Sequence, residues 1–163
     1  MRAGRFSILG TLLVLVLAWL IWEQLRTEEE FLHHQRIEEK DTKEVMVWGE
    51  LYRDKGNGAG SIERPQRRVT EQETKQIMAA FNKIRSETVT IENHQPQTKF
   101  IAGIAFYMKS DGKMINIWYR DSGETVYVSK NSNKKSIYYS INEPDIRDFF
   151  DSYISDFLKE SSQ

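Results

Sequence analysis

The sequence predicts an α+β protein with an N-terminal transmembrane helix and a polar helical stalk. A two-layer domain follows, in which an antiparallel meander sheet is covered by two helices on one face. Three observations predict this. Residues 6–22, FSILGTLLVLVLAWLIW, hold no charge. Between residues 100 and 141, four short β-prone runs alternate with tight polar turns. Two further runs, after Val69 and after Asn142, repeat apolar residues at helical spacing.

As a helix, the seventeen residues of the uncharged run would rise about 26 Å at ~1.5 Å each, against a hydrocarbon core about 30 Å thick. Eleven of them are Leu, Ile, Val or Phe. At about −0.3 to −0.6 kcal/mol each, these favour insertion by on the order of 3–6 kcal/mol. Phe6, Leu12, Leu15, Trp19 and Trp22 are the anchor residues, with the two indoles near the headgroup level. The competing reading is a cleaved signal peptide, with Val16 and Ala18 as the small residues before the cut. The apolar run continues past Ala18 to Trp22, a poor start for a mature chain, which favours a retained anchor. Arg2 and Arg5 point to a cytoplasmic amino terminus and an extracytoplasmic domain at the cell membrane, while Arg26, Arg36 and Lys40 weaken that bias. With no cysteine in the chain, a lipid-modified cysteine and a disulfide framework are both excluded.

The expected organisation is a cytoplasmic tail (1–5), the anchor (6–22), the stalk (23–42), one globular domain (43–159) and a disordered tail (160–163). In the stalk, Leu25, Leu32 and Ile37 are too sparse for a packed face. Glu29 and His33, like Glu30 and His34, are spaced to be neighbours on a helix and read as a solvated surface. With Arg2 and Arg5 beyond the anchor, two of the 23 basic residues leave the soluble part, against 24 acidic ones, for a net charge of about −3. That balance argues against nucleic acid as a partner.

In the domain, residues 44–52 alternate and are rich in strand formers. Residues 53–68 read as a loop by their glycines and Pro65. Thr70 and Glu73 form a capping box, followed by Ile77, Met78, Phe81 and Ile84 on one helix face. Residues 88–92 are β-prone and brief. Strands are expected over 100–109, 114–120, 124–130 and 136–141, with a type I′ hairpin at Asp111-Gly112 and a turn at Asp121-Ser122-Gly123. Asn142 is the expected cap of a last helix, whose stripe runs Ile146, Phe149, Phe150, Tyr153, Ile154, Phe157 and Leu158. That stripe needs Ile104, Phe106, Ile115, Ile117, Val126 and Val128 to cover. The opposite sheet face would then carry Tyr107, Asn116, Trp118, Tyr127 and Tyr139.

No motif for chemistry stands out, and the chain is read as a non-enzyme without cofactor or metal. There is no nucleophile elbow, and His94 is the one histidine of the domain, too few for a zinc site. The run from Asp54 lacks the acidic twelfth position of a calcium loop, which is Pro65 here. Gly56, Gly58 and Gly60 lie too far before the capped helix to cradle a phosphate. Arg64, Arg67 and Arg68 are the densest basic cluster, suited to an acidic partner, lipid headgroups or wall phosphates. Trp118, Tyr127 and Tyr139 form a candidate interaction surface, since aromatics suit protein, peptide and sugar contacts.

The segments VMVWGEL, VTEQETKQIMAAFNKI, IAFYMKSDGKMINIWY, ETVYVSK, SIYYSI and INEPDIRDFFDSYI resemble, in order, small extracytoplasmic domains of Gram-positive bacteria held by a membrane or lipoprotein anchor. The resemblance implies an anchored envelope domain of uncharacterised function and no catalytic residues. The leading expectation is a single-pass envelope protein with the bilayer and a protein or peptide as partners, a toxin-immunity protein being a special case. The alternatives are a ligand-sensing or envelope-stress module using the arginine cluster, and a hydrolase using His94 with a carboxylate.

Overall fold

A computed structural model describes residues 3–32, 36–56, 58–110, 112–120, 125–132 and 135–162. The chain divides into two compact units, Met1–His33 and His34–Gln163.

The first unit is one helix, α1 (Ala3–Leu32), which carries the uncharged run and the first half of the expected stalk as a continuous element. Its apolar side chains find no core: Leu12, Leu15, Trp19 and Trp22 are 59%, 64%, 58% and 56% exposed. Among the described residues, no helix is long and apolar enough to cross a membrane. The uncharged stretch is at the short end of what a full span takes, and Glu23 follows it on the same helix. This departs from the expected transmembrane element. His33 and His34 lie outside the described residues, as do Asp111 and the turn at 121–124.

The second unit begins earlier than expected. Ile37 is buried, and its backbone exchanges two hydrogen bonds with the Asn82 side chain, at 2.7 Å and 2.9 Å. Residues assigned to the stalk therefore belong to the folded head, because one isoleucine finds a core position and a side-chain amide that mimics a backbone partner. A 3₁₀ turn at Glu39–Asp41 leads into β1 (Thr42–Gly49).

The sheet has seven antiparallel strands, more than the expected meander. Its order is β4 (Gln66–Arg68), β1, β6 (Ala102–Met108), β7 (Met114–Tyr119), β8 (Val126–Asn131), β9 (Ser136–Ile141) and β5 (Val89–Glu92). The expected strand over 44–52 breaks at Glu50, its last residues open β2 (Leu51–Asp54), which pairs with β3 (Gly60–Glu63) inside the stretch expected as a loop, and β4 then returns beside β1. Backbone pairing supplies what weak strand propensity did not announce. Gly112, at a φ of 72°, takes the left-handed conformation at the β6–β7 turn that a side chain disfavours.

Alternation divides the sheet into two faces. Val45 and Val47 on β1, Ile104 and Phe106 on β6, Ile115 and Ile117 on β7, and Val126 and Val128 on β8 are buried on the inner face. Two helices cover it. In α2 (Glu71–Phe81), Phe81 meets the Phe106 ring at 6.2 Å between centroids. In α3 (Pro144–Ser161), Ile146, Phe150, Ile154 and Phe157 are buried. Phe149 is only half-buried, and the helix starts after Glu143, one residue later than the expected cap at Asn142. A buried charged residue shares the inner face: Lys130 has its Nζ 5.9 Å from the Tyr139 ring centroid, and burial pulls its pKa down to about 8.

Candidate functional site

The outer face of the sheet is the surface with the most unusual chemistry. Register fixes which side chains it presents. Trp48, Gly103 and Trp118 lie side by side across β1, β6 and β7, and Tyr127 pairs with Trp118 from β8. The next row holds Met46, Ala105, Asn116 and Ser129, with Tyr138 opposite Ser129 on β9. The outward positions of β6, β7, β8 and β9 are Gly, Ala, Tyr, Met, Asn, Trp and Ser, with no charge among them. In a chain that is 29% charged, roughly three or four charged side chains would fall there by chance, and a solvated sheet face ordinarily carries more. Charges return at the margins, with Glu44 on β1, Arg68 on β4 and Glu92 on β5.

An aromatic cluster occupies one end of this face. Trp48 and Trp118 meet edge to face at 6.2 Å. Phe100 lies 4.8 Å from Trp118 and 5.8 Å from Tyr127, between ring centroids. The Trp118 indole N–H donates to Ser129 Oγ at 3.0 Å, and Asn116 Nδ2 donates to the same oxygen at 3.2 Å. Ser129 thereby holds the indole plane with a buried polar anchor. Gly103 lets the cluster close. A Cβ there would stand 2.7 Å from the Ile117 carbonyl oxygen and 2.9 Å from Trp48 Nε1. The four aromatic side chains remain partly exposed.

Of the expected surface, Trp118 and Tyr127 lie together on this face, and Tyr139 does not. Tyr139 pairs with Val128 and is 2% exposed on the inner face, while its neighbour Tyr138 takes the outward position. The β9 pattern SIYYSI has aromatics at adjacent positions, so alternation alone does not decide which one faces out. Sequence reasoning also missed Trp48, Phe100 and Ser129. Alternation along β1 and β8 would have found Trp48 and Ser129, whereas Phe100 precedes β6 and lies outside its outward alternation.

The arginine cluster is dispersed by the fold. Arg64 Nε pairs with Glu50 Oε1 at 3.0 Å, and Lys99 approaches the other oxygen at 3.3 Å. Arg67 points inward, making a two-pronged contact with Glu73 at 3.0 Å and 2.6 Å, its guanidinium 5.8 Å from the Phe157 ring centroid. Arg68 faces outward and lines a 410 Å³ cleft with Lys43 as well as Glu39, Glu44 and Glu71. Three carboxylates beside two cations give that cleft no preference for an anion. The arginines thus do not converge as a clasp.

His94 is exposed in a bend after β5, and among the described residues no carboxylate or hydroxyl hydrogen-bonds to it. Among the described residues, no group of three or more acidic or histidine side chains could hold a metal ion. Phe6, the first anchor residue, has no described side-chain position. No described family matches the chain, and no curated protein or solved structure is similar to it.

Proposed function

We propose that this chain is a single-pass, membrane-tethered interaction protein of the cell envelope. Its α1 run at 6–22 holds the bilayer, and its extracytoplasmic head binds another protein or peptide through the outer sheet face. The observation that carries this reading is the charge-free, aromatic surface across β6–β9. Protein interfaces are depleted in charge at their centre and enriched in Trp, Tyr and Met, and this face has that composition inside a charged margin. The exposed apolar side chains of α1 support the tether, since a helix apolar all round is stable only when something covers it.

The test has two parts. Lysis without detergent should leave the full chain in the membrane pellet, and protease added to intact cells or spheroplasts should cleave the head. Full-length protein in the soluble fraction would remove the tether. Affinity capture with the wild-type chain should yield a reproducible bound protein that Trp118→Ala and Tyr127→Ala release. Binding undiminished by both substitutions would remove the sheet face from the reading.

A further inference from the structure

We infer that the partner of the outer sheet face is a second copy of this chain, the two heads stacking face to face around a two-fold axis. The inference rests on the proposal that this face is an interface, and it adds the identity of the occupant.

Three observations favour self-association. The first is charge. A two-fold axis brings a surface against itself, so any charge near the axis meets its own copy and repels it. The outward positions of β6–β9 hold no charge, and charged residues stand only at the margin, with both signs present in Glu44, Arg68 and Glu92. A face built for an acidic or basic partner would carry the opposite sign at its centre, and this one does not.

The second is shape. The small residues of the face are already covered by their neighbours. Gly103 is roofed by Trp48, while Ala105 and Ser129 are 5% and 1% exposed. With its small positions covered, such a face suits another sheet, which packs about 10 Å away.

The third is area. With β1, whose Met46 and Trp48 extend the face of β6–β9, five strands about 4.8 Å apart and six residues long at ~3.3 Å each make a patch of roughly 24 by 20 Å. Two such patches cover about 1,000 Å² in plan, at the lower bound for a specific interface. The dimer is therefore weak in dilute solution. On one membrane surface, tethering raises the effective concentration toward the millimolar range, as a linker does between joined modules.

The chain has no cysteine, so single-cysteine variants of the full chain report contacts without background. In detergent, Tyr127→Cys on the face should cross-link to a dimer with a bis-maleimide, and Gln76→Cys on the exposed side of α2 should not. Sedimentation of the full chain should show a concentration-dependent dimer. Tyr138→Glu, on the same face but outside the aromatic cluster, should raise its dissociation constant at least tenfold without moving the thermal midpoint. A chain that stays monomeric with no Tyr127→Cys cross-link overturns the inference. So does a dimer indifferent to Tyr138→Glu, which would arise elsewhere, as along α1. If the chain is monomeric but captures a different protein released by Trp118→Ala, the second copy falls and the broader interface stands. If it is monomeric and its tryptophan emission titrates with a neutral oligosaccharide, both fall in favour of a sugar platform.

Discussion

At Glu73, three elements meet in one carboxylate. It accepts from Arg67 of β4, from the Thr70 backbone and hydroxyl, and from the Tyr153 hydroxyl of α3 at 3.1 Å. The Arg67 guanidinium, helped by Thr70, holds its pKa down at about 2, below the usual 4.5. Because the folded value is the lower one, the stabilisation is complete above about pH 4.5 and is lost as pH falls through about 2. At this partly open position it is worth about 1–2 kcal/mol after allowance for solvent screening. Urea unfolding of Glu73→Gln should show that loss at pH 7 and a shrinking difference from wild type between pH 4.5 and 2. Gly103 is a second residue whose role is local. Its Ala variant drives a methyl against a backbone carbonyl, which cannot yield as a side-chain tip can. A loss of about 1–3 kcal/mol is expected, with a shift in tryptophan fluorescence as Trp48 is displaced. An unchanged spectrum and midpoint would show that the cluster does not close over this glycine.

At the scale of elements, α3 is the lid of the core and its buried stripe sets its contribution. Phe150 is 1% exposed, while Phe149 lies on the flank and stacks on Tyr153 with ring centroids 6.4 Å apart. Phe150→Ala should cost about 3–5 kcal/mol through lost burial and the cavity left behind. Phe149→Ala should cost clearly less, measured side by side by denaturant titration. Equal losses would mean that α3 is rotated from the orientation described. The helices were legible because period and cap are local. Thr70 and Glu73 form the capping box that their spacing announces. The ribbon of β2 and β3 was not legible, since the glycines and Pro65 of that stretch argue for loop and its strands exist only by pairing with each other and, through β4, with β1. The brief β-prone run at 88–92 was legible and forms β5, but its place as an edge strand beside β9 was not.

At the scale of the molecule, the head carries its own core, from Ile37 at one end to Phe157 at the other. A chain begun at Arg36 should therefore unfold in one cooperative transition at the midpoint of the full chain's head. A markedly lower midpoint would show that α1 contributes to the head's stability. The sequence by itself determined the α+β class, the antiparallel strands, the two amphipathic helices, the capping box of the first of them and the long uncharged run. These follow from periodicities and caps that act over a few residues. Only the tertiary structure decided that Tyr138 rather than Tyr139 faces outward, that Arg67 turns in to Glu73, and that Trp48 and Phe100 join Trp118. Each depends on strand register or on partners far apart in the chain, and a one-residue change of register exchanges the two faces of a strand.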